Sequence, residues 1–131
     1  MADANEQLVR DGYAAFSAGD MEKLGSLYTD DVVQSVPGNN QIAADHQGRD
    51  AVLGYYGKLF ELTDGNMSVQ LKTVTVDGDK VAAVHANIAE RNGKKLDSDT
   101  TLNFTIKDGK ITRIDEVSSD QAAEDAFWGQ A

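Results

Sequence analysis

Two kinds of side chain in this 131-residue chain could transfer protons near neutral pH, a histidine and a pair of adjacent acids. His85 is one of two histidines, and the ordinary pKa of a histidine lies close to neutrality. Asp115 and Glu116 are neighbours, so on a β-strand they point to opposite faces. We predict that His85 acts with one of these acids in proton abstraction beside a carbonyl or in water activation. The alternative for His85 is a buried histidine that makes only structural hydrogen bonds.

Two tight turns determine which of these side chains share one face of a β-sheet. Asn92-Gly93 and Asp108-Gly109 are residue pairs typical of two-residue hairpin turns, in which the central residues adopt positive φ. The flanking sequence predicts strands at Lys80–Arg91, Lys94–Lys107 and Lys110–Val117. Because side chains alternate between the faces of a sheet, the register set by each turn assigns every residue to a face.

The first hairpin has a polar cluster on the face that we predict to be buried. With Asn92-Gly93 at the tip, His85 pairs with Thr100 and Asn87 pairs with Ser98. An apolar pocket with a few convergent polar groups is the usual form of a small-molecule site. The opposite face has four charged residues and an apolar patch, which suits solvent or a dimer partner. That outer patch consists of Val84, Ala86 and Ile88.

The second hairpin leaves the choice between the two acids open. Strict alternation from Asp108-Gly109 pairs Leu102 with Asp115, which places Asp115 inward and Glu116 outward. A single β-bulge would reverse the two, and bulges are frequent in strongly curved sheets. We expect one of the two acids to face the pocket.

The remaining sequence predicts an α+β fold in which helices precede a meandering sheet. Helices are predicted at Asn5–Ala18, after the N-cap Asp20, and at Asp50–Leu62, with strands at Val32–Val36 and Met67–Val76. The segment Gln41–Gly48 is polar and is predicted to be irregular. It contains His46, which we place either at the pocket mouth or on a surface loop. The tail, residues 118–131, ends in Ala126-Phe127-Trp128 and is expected to dock onto the body of a single domain spanning residues 1–131.

Composition excludes several classes of function. A net charge of −10 and scattered basic residues argue against nucleic acid and against anionic membrane surfaces. No run of residues is long and apolar enough for a membrane span. The absence of cysteine excludes disulfides and thiolate metal sites, and the histidines lack metal-ligand spacing. We therefore expect a cytoplasmic protein without metal or cofactor.

The chain resembles the SnoaL-like branch of the nuclear-transport-factor-2-like superfamily over nearly its whole length. The motif Gly48-Arg49-Asp50-Ala51-Val52 and the motif Ala18-Gly19-Asp20 contribute most of the resemblance. It implies a cone-shaped α+β fold, with a curved mixed or antiparallel sheet wrapped around N-terminal helices and an internal pocket. It also implies a homodimer formed through the outer sheet face.

The functional residues of better-known relatives are only partly present. The general-base Asp, oxyanion-hole acid and helix-1 Tyr of ketosteroid isomerase-like proteins fall near Val36, Leu102 and Gly12, so steroid isomerisation is not expected. The Arg-x-Asp pair of limonene epoxide hydrolase-like proteins has no counterpart near His85-Ala86-Asn87. SnoaL-like polyketide cyclases use a last-strand acid, a role that Asp115 or Glu116 could fill.

We therefore expect a pocket for a small hydrophobic, oxygenated compound, with cofactor-independent acid/base catalysis of the isomerase, cyclase, hydrolase or dehydratase type. The alternative is a non-catalytic ligand-binding or dimerisation module. The predicted ligand-contacting residues come from the helices, the first hairpin and the tail: Tyr13, Tyr56, Phe60, Asn87, Thr100, Leu102 and Trp128.

Overall fold

The structure, a computed structural model, describes residues 3–130 of the chain. Met1, Ala2 and Ala131, which the expected domain includes, lie outside the described residues. Helices and strands follow the predicted order, with one additional strand and a helix in the tail. The elements are α1 (Ala4–Ala18), α2 (Met21–Ser26), β1 (Tyr28–Val36), β2 (Ala44–Gln47), α3 (Arg49–Leu62), β3 (Met67–Asp77), β4 (Lys80–Arg91), β5 (Lys94–Lys107), β6 (Lys110–Ser118) and α4 (Gln121–Trp128).

A single six-stranded mixed sheet in the order β2-β1-β6-β5-β4-β3 forms the body of the fold. All neighbouring strands are antiparallel except β1 and β6, which run parallel. The sheet curls around the helices without closing into a barrel, so its two long edges remain separate. The predicted α+β class with N-terminal helices against a curved sheet is confirmed.

The register of the first hairpin is confirmed. Asn92 and Gly93 adopt φ values of 52° and 78°, as a turn of this type requires. His85 pairs with Thr100, and Asn87 pairs with Ser98. His85 is 4% exposed and lies on the face that meets the helices, which gives the predicted polar cluster its place inside the fold.

Strict alternation through the second hairpin is wrong, because β6 contains a bulge. Ile106 pairs with Ile111 but Thr105 pairs with Arg113, so Thr112 is the extra residue on β6. The Thr112 hydroxyl donates to the carbonyl oxygen of Thr105 (3.2 Å), which holds the bulge in place. Leu102 consequently pairs with Glu116, so Glu116 faces inward and Asp115 faces outward.

The first two strands differ from the prediction because tertiary pairing outweighs local sequence. β1 begins at Tyr28 rather than Val32, since its start pairs with β6 across an irregular step between Tyr28 and Val33. The segment expected to be irregular contains β2, whose residues pair with the outer edge of β1. Edge strands that face solvent need no apolar alternation, so β2 carries no signal in its sequence.

The C-terminal tail folds as α4 and packs against the loop that follows β1. Phe127 and Trp128 are 3% and 2% exposed. One carboxylate oxygen of Asp125 accepts hydrogen bonds from the backbone N–H of Asn39 (2.9 Å) and from Nδ2 of Asn40 (2.7 Å). These bonds lower the pKa of Asp125. The loop therefore holds α4 over the inner face of the sheet.

Replacing Gly38 with alanine should weaken the contact between α4 and the loop after β1. Gly38 has a φ of 112°, and a Cβ there would lie 2.3 Å from Nε2 of Gln121 and 2.5 Å from Oδ1 of Asp125. We expect a loss of roughly 1–3 kcal/mol in the free energy of unfolding. We also expect a red shift in the emission of Trp128, the single tryptophan of the chain.

Gly65→Ala is the matched control for Gly38→Ala. Gly65 also has positive φ (77°) but has nothing within 4 Å of its added Cβ, so it tests backbone strain without a clash. The control should keep the emission of Trp128 unchanged. Equal red shifts in the two variants would contradict the contact between the loop and α4.

Candidate functional site

An internal cavity of about 70 Å³ lies between the inner face of the sheet and α1, α3 and α4. It is several times the roughly 10–15 Å³ that one water molecule needs on this measure. Most of its wall is aliphatic or aromatic, and the residues that line it include no lysine or arginine within 3–130. Its polar lining residues are Tyr13, Tyr28, Gln34, Tyr55, Tyr56, His85, Asn87, Glu116 and Glu124.

Glu116 is held at one side of the cavity by donors from β1 and α3. Nε2 of Gln34 donates to a carboxyl oxygen of Glu116 (3.4 Å), and the Tyr55 hydroxyl also acts to lower the pKa of Glu116. The amide of Gln34 is oriented in turn by the Tyr56 hydroxyl, which donates to its Oε1 (2.5 Å). The Tyr28 hydroxyl lies 2.8 Å from that of Tyr56 and therefore donates to it. A directed chain of hydrogen bonds thus ends on the carboxyl group of Glu116.

The acidity of Glu116 is strongly changed by this environment. Burial raises its pKa from 4.5 to about 8, and the nearby Glu124 acts in the same direction. Hydrogen bonds from Gln34 and Tyr55 oppose the rise without cancelling it. Both the protonated and the ionised form of Glu116 are consequently populated near neutral pH, as a general acid/base requires.

His85 lies in a second chain of hydrogen bonds, which begins on α1. Its Nδ1 is 2.6 Å from the Tyr13 hydroxyl, and its Nε2 is 3.0 Å from Oδ1 of Asn87. Burial lowers the pKa of His85 to about 4, although the bond to Asn87 and the charge of Asp99 raise it. The ring is therefore neutral at pH 7, and both of its nitrogens have side-chain partners. This geometry supports the alternative of a hydrogen-bonded structural histidine, and a catalytic role for His85 stays a prediction.

Four polar residues of the cavity lining were not predicted from the sequence: Tyr28, Gln34, Tyr55 and Glu124. Gln34 is 1% exposed and alternates with Val32 and Val36 on the inward side of β1, and a polar residue at that position was the one available signal. Tyr55 precedes the predicted ligand-contacting residue Tyr56 on α3 and lines the cavity beside it. Glu124, 7% exposed, lies in the tail and gave no signal beyond its i, i+4 spacing to Trp128.

The predicted ligand-contacting residues divide into two groups. Five of them line the cavity, while Phe60 and Thr100 lie outside its lining. Phe60 packs against Phe16, with ring centroids 5.2 Å apart. Thr100 is 1% exposed and accepts a hydrogen bond from Nδ2 of Asn87 (2.8 Å). The five lining residues are Tyr13, Tyr56, Asn87, Leu102 and Trp128.

Asp115 and His46, two further candidates from the sequence, do not line the cavity. Asp115 faces away from the cavity and pairs with Arg113 on the outer face at 3.0 Å. His46 lies on β2 rather than in a loop, and its ring stacks on Tyr55 with centroids 4.5 Å apart. It thus contacts a cavity-lining residue from behind.

Within residues 3–130, no three histidine, aspartate or glutamate side chains cluster as metal ligands would. None of the helices in that range has the length and hydrophobicity needed to cross a bilayer.

Comparison with known proteins gives consistent matches over the length of the chain. The SnoaL-like domain family matches residues 9–114. An uncharacterized protein of Mycobacterium tuberculosis is 39% identical over 127 residues, covering 96% of this chain and 97% of that protein. The structure of Bal32a, from a soil-derived mobile gene cassette, is similar with a TM-score of 0.94 and 37% identity, covering 96% of this chain and 97% of that one.

A third comparison adds a described activity. A structure from Sinorhizobium meliloti whose protein is described as a "putative polyketide cyclase" has a TM-score of 0.71 and 27% identity, covering 85% of this chain and 94% of that one. Solved structures described as NTF2-like share the fold as well.

Replacing Glu116 with glutamine should change how stability depends on pH. The folded state holds the proton of Glu116 up to about pH 8, while the unfolded chain releases it near pH 4.5. This stabilising contribution is therefore complete below pH 4.5 and is lost as the pH rises to 8. The free energy of unfolding of the wild type should fall relative to Glu116→Gln by up to about 1.4 kcal/mol per pH unit in that window.

Urea denaturation of both proteins across this range measures the effect. The difference between them is the informative quantity, because His85 acts in the opposite sense between about pH 4 and its ordinary pKa of 6.5. Gln34→Met removes a donor that lowers the pKa of Glu116, so it should extend the window to higher pH. A difference that does not vary with pH would contradict the raised pKa of Glu116.

Proposed function

The chain belongs to the SnoaL-like family, and from that premise we propose that Glu116 acts as a general acid/base on a small hydrophobic, oxygenated compound, without a cofactor. The observation that carries the proposal is the position of the Glu116 carboxyl group. It borders an apolar cavity, is oriented by Gln34 and Tyr55, and has a pKa of about 8. The resemblance to polyketide cyclases that use a last-strand acid supports the same assignment.

The reaction class follows from the two protonation states of Glu116. Its ionised form can take a proton from carbon next to a carbonyl group, and its protonated form can return a proton to another atom of the same compound. The hydrogen bond from Nε2 of Gln34 orients the carboxyl group for this exchange. Isomerisation, ring closure and dehydration all consist of such transfers, so the substrate determines which of them occurs.

The wall of the cavity supports a neutral, ring-containing ligand. Aromatic side chains from α1, α3 and α4 supply flat apolar surface, while the described lining contains acids but no basic residue. A carboxylated or phosphorylated compound would meet Glu116 and Glu124 without a balancing cation. The polyketide-cyclase description of the relative from Sinorhizobium meliloti agrees with an oxygenated ring compound.

The decisive experiment measures proton exchange rather than turnover of a guessed substrate. A neutral aromatic β-diketone, 1-phenylbutane-1,3-dione, would be incubated with the protein in D₂O, and loss of its α-proton would be followed by NMR. Protein-dependent exchange should fall roughly 100-fold or more in Glu116→Gln. Asp115→Asn, which changes the neighbouring acid on the outer face, should retain the exchange rate.

The same experiment distinguishes the non-catalytic alternative. Diketone binding to the wild type without accelerated exchange would support a ligand-binding module. Equal exchange rates in the wild type and Glu116→Gln would show that the acid is not the proton carrier. Native mass spectrometry of the purified protein would identify co-purifying molecules as better probes.

We also propose that two copies associate through the outer face of the sheet. Val117 is 55% exposed on that face and pairs across the strands with Thr101, next to Val84. The exposed side chain of Val117 and the half-buried side chain of Val84 offer apolar surface to a second copy.

Val117→Asp should convert a dimer to a monomer, measured by light scattering after size-exclusion chromatography. Ala51→Asp adds the same charge at an exposed position of α3 and should leave the dimer intact. A wild-type protein that elutes with the mass of one chain would contradict the proposed association.

A further inference from the structure

The buried carboxylate of Glu124 receives three hydrogen bonds, which fix the direction of the chain that includes His85. Oε1 of Glu124 accepts from Nδ2 of Asn87 (3.2 Å) and from Oγ of Ser98 (3.1 Å). Its Oε2 accepts from Nε1 of Trp128 (2.9 Å), and an indole N–H can only donate. Glu124 is therefore the acceptor at the end of the chain.

The amide of Asn87 connects Glu124 to His85, and its orientation determines the direction of the hydrogen bond to His85. Its Nδ2 faces Glu124 and also the hydroxyl oxygen of Thr100 (2.8 Å), so its Oδ1 must face His85. Turning the amide over would place Oδ1 of Asn87 against Oε1 of Glu124, so that two oxygen atoms would face each other. Oδ1 lies 3.0 Å from Nε2 of His85, which must therefore carry the ring proton.

The proton of Tyr13 is fixed by the same logic. A neutral imidazole with its proton on Nε2 has a lone pair on Nδ1, and the Tyr13 hydroxyl lies 2.6 Å from that atom. The lowered pKa of His85 agrees with a neutral ring. Tyr13 must donate its single proton to His85, which leaves the lone pairs of its phenolic oxygen for another partner.

From these contacts we infer that Tyr13 is a ligand-binding residue that accepts a hydrogen bond from the ligand. The cavity therefore selects compounds with a hydroxyl or N–H group. Glu124 is the positioning residue that fixes the direction of the hydrogen bonds leading to Tyr13. Tyr13 lines the cavity, and we place the donor group of the ligand at its phenolic oxygen. A carbonyl oxygen at this position would face another acceptor and leave both unsatisfied.

This inference deepens the proposed function and rests on it for the use of the cavity. Protonated Glu116 donates a proton or a hydrogen bond, whereas Tyr13 accepts a hydrogen bond. The ligand therefore needs an acceptor group facing Glu116 and a donor group facing Tyr13. The substrate class narrows accordingly to hydroxylated carbonyl compounds.

The first test measures the tautomer of His85 and needs no ligand. Long-range ¹H–¹⁵N correlation spectra of the labelled protein should show the neutral Nε2–H form, and His46→Gln would assign the two rings. Glu124→Met removes the acceptor that orients Asn87, so the Nδ1–H form should appear. An Nδ1–H ring in the wild type would overturn the inference. So would an unchanged tautomer in a folded Glu124→Met protein.

The second test measures selection between two probes of the same shape. Calorimetric titration should show 2-naphthol binding about tenfold more tightly than 2-methoxynaphthalene, which lacks the donor. Tyr13→Phe should abolish this preference, and Asp115→Asn, on the outer face of the sheet, should retain it. Equal affinities in the wild type, or a preference that persists in Tyr13→Phe, would overturn the inference.

The two proposals fail separately. Loss of α-proton exchange in Glu116→Gln together with a wrong His85 tautomer would retain the proposed function and reject the role of Glu124. The expected tautomer and probe preference without any exchange would retain the binding position and reject catalysis. If neither naphthalene compound binds, the proposed use of the cavity fails, and the tautomer still decides the direction of the chain.

Discussion

Two acids, Glu116 and Glu124, lie inside a cavity whose described lining contains no basic side chain, and the site is built around this constraint. A buried carboxyl group without a cation must be neutral or must receive several hydrogen bonds. The structure uses both solutions. Glu116 has its pKa raised towards neutrality, and Glu124 receives donors from three side chains. Each acid is the last acceptor of a directed chain, so two carboxyl groups orient most of the polar atoms of the cavity.

The same constraint explains why the tail belongs to the site. Glu124 is carried by α4, and its hydrogen bonds to Asn87 and Ser98 connect that helix to the floor of the sheet. On the outer side of α4, Asp125 binds the loop after β1 through Asn39 and Asn40. The adjacent acids Glu124 and Asp125 thus make different contacts. Glu124 bonds to the sheet inside the cavity, and Asp125 bonds to the loop at its rim. Packing of Trp128 alone would not fix the rotation of α4, whereas two sets of directional hydrogen bonds do.

Features determined by local sequence could be predicted, and those determined by the shape of the sheet could not. Asn92-Gly93 dictates its own turn, so the register of β4 and β5 and the inward position of His85 followed from the sequence. The bulge at Thr112 arises where the sheet curls against β1, and the local sequence only allowed it as one of two alternatives. In the sequence, nothing distinguishes Glu124 from any acid on the polar side of a short helix. Only the fold places Asn87 and Ser98 beside it. The role of Glu124 therefore depends on contacts between residues far apart in the chain.

The position of the acids also separates this chain from relatives that share its fold. Gly12 and Leu102, which fall near the tyrosine and the oxyanion-hole acid of ketosteroid isomerase-like proteins, both line the cavity here. Neither residue has an ionisable side chain, and the carboxyl groups of the described lining come from β6 and α4. A carboxyl group inside an apolar wall orients the hydrogen-bond donors near it. If the carboxyl group lies on another strand, a different face of the ligand meets the acid and a different face meets a hydrogen-bond acceptor. Differences in chemistry among proteins of this fold can therefore arise from relocating one or two acids, without any change in the path of the backbone.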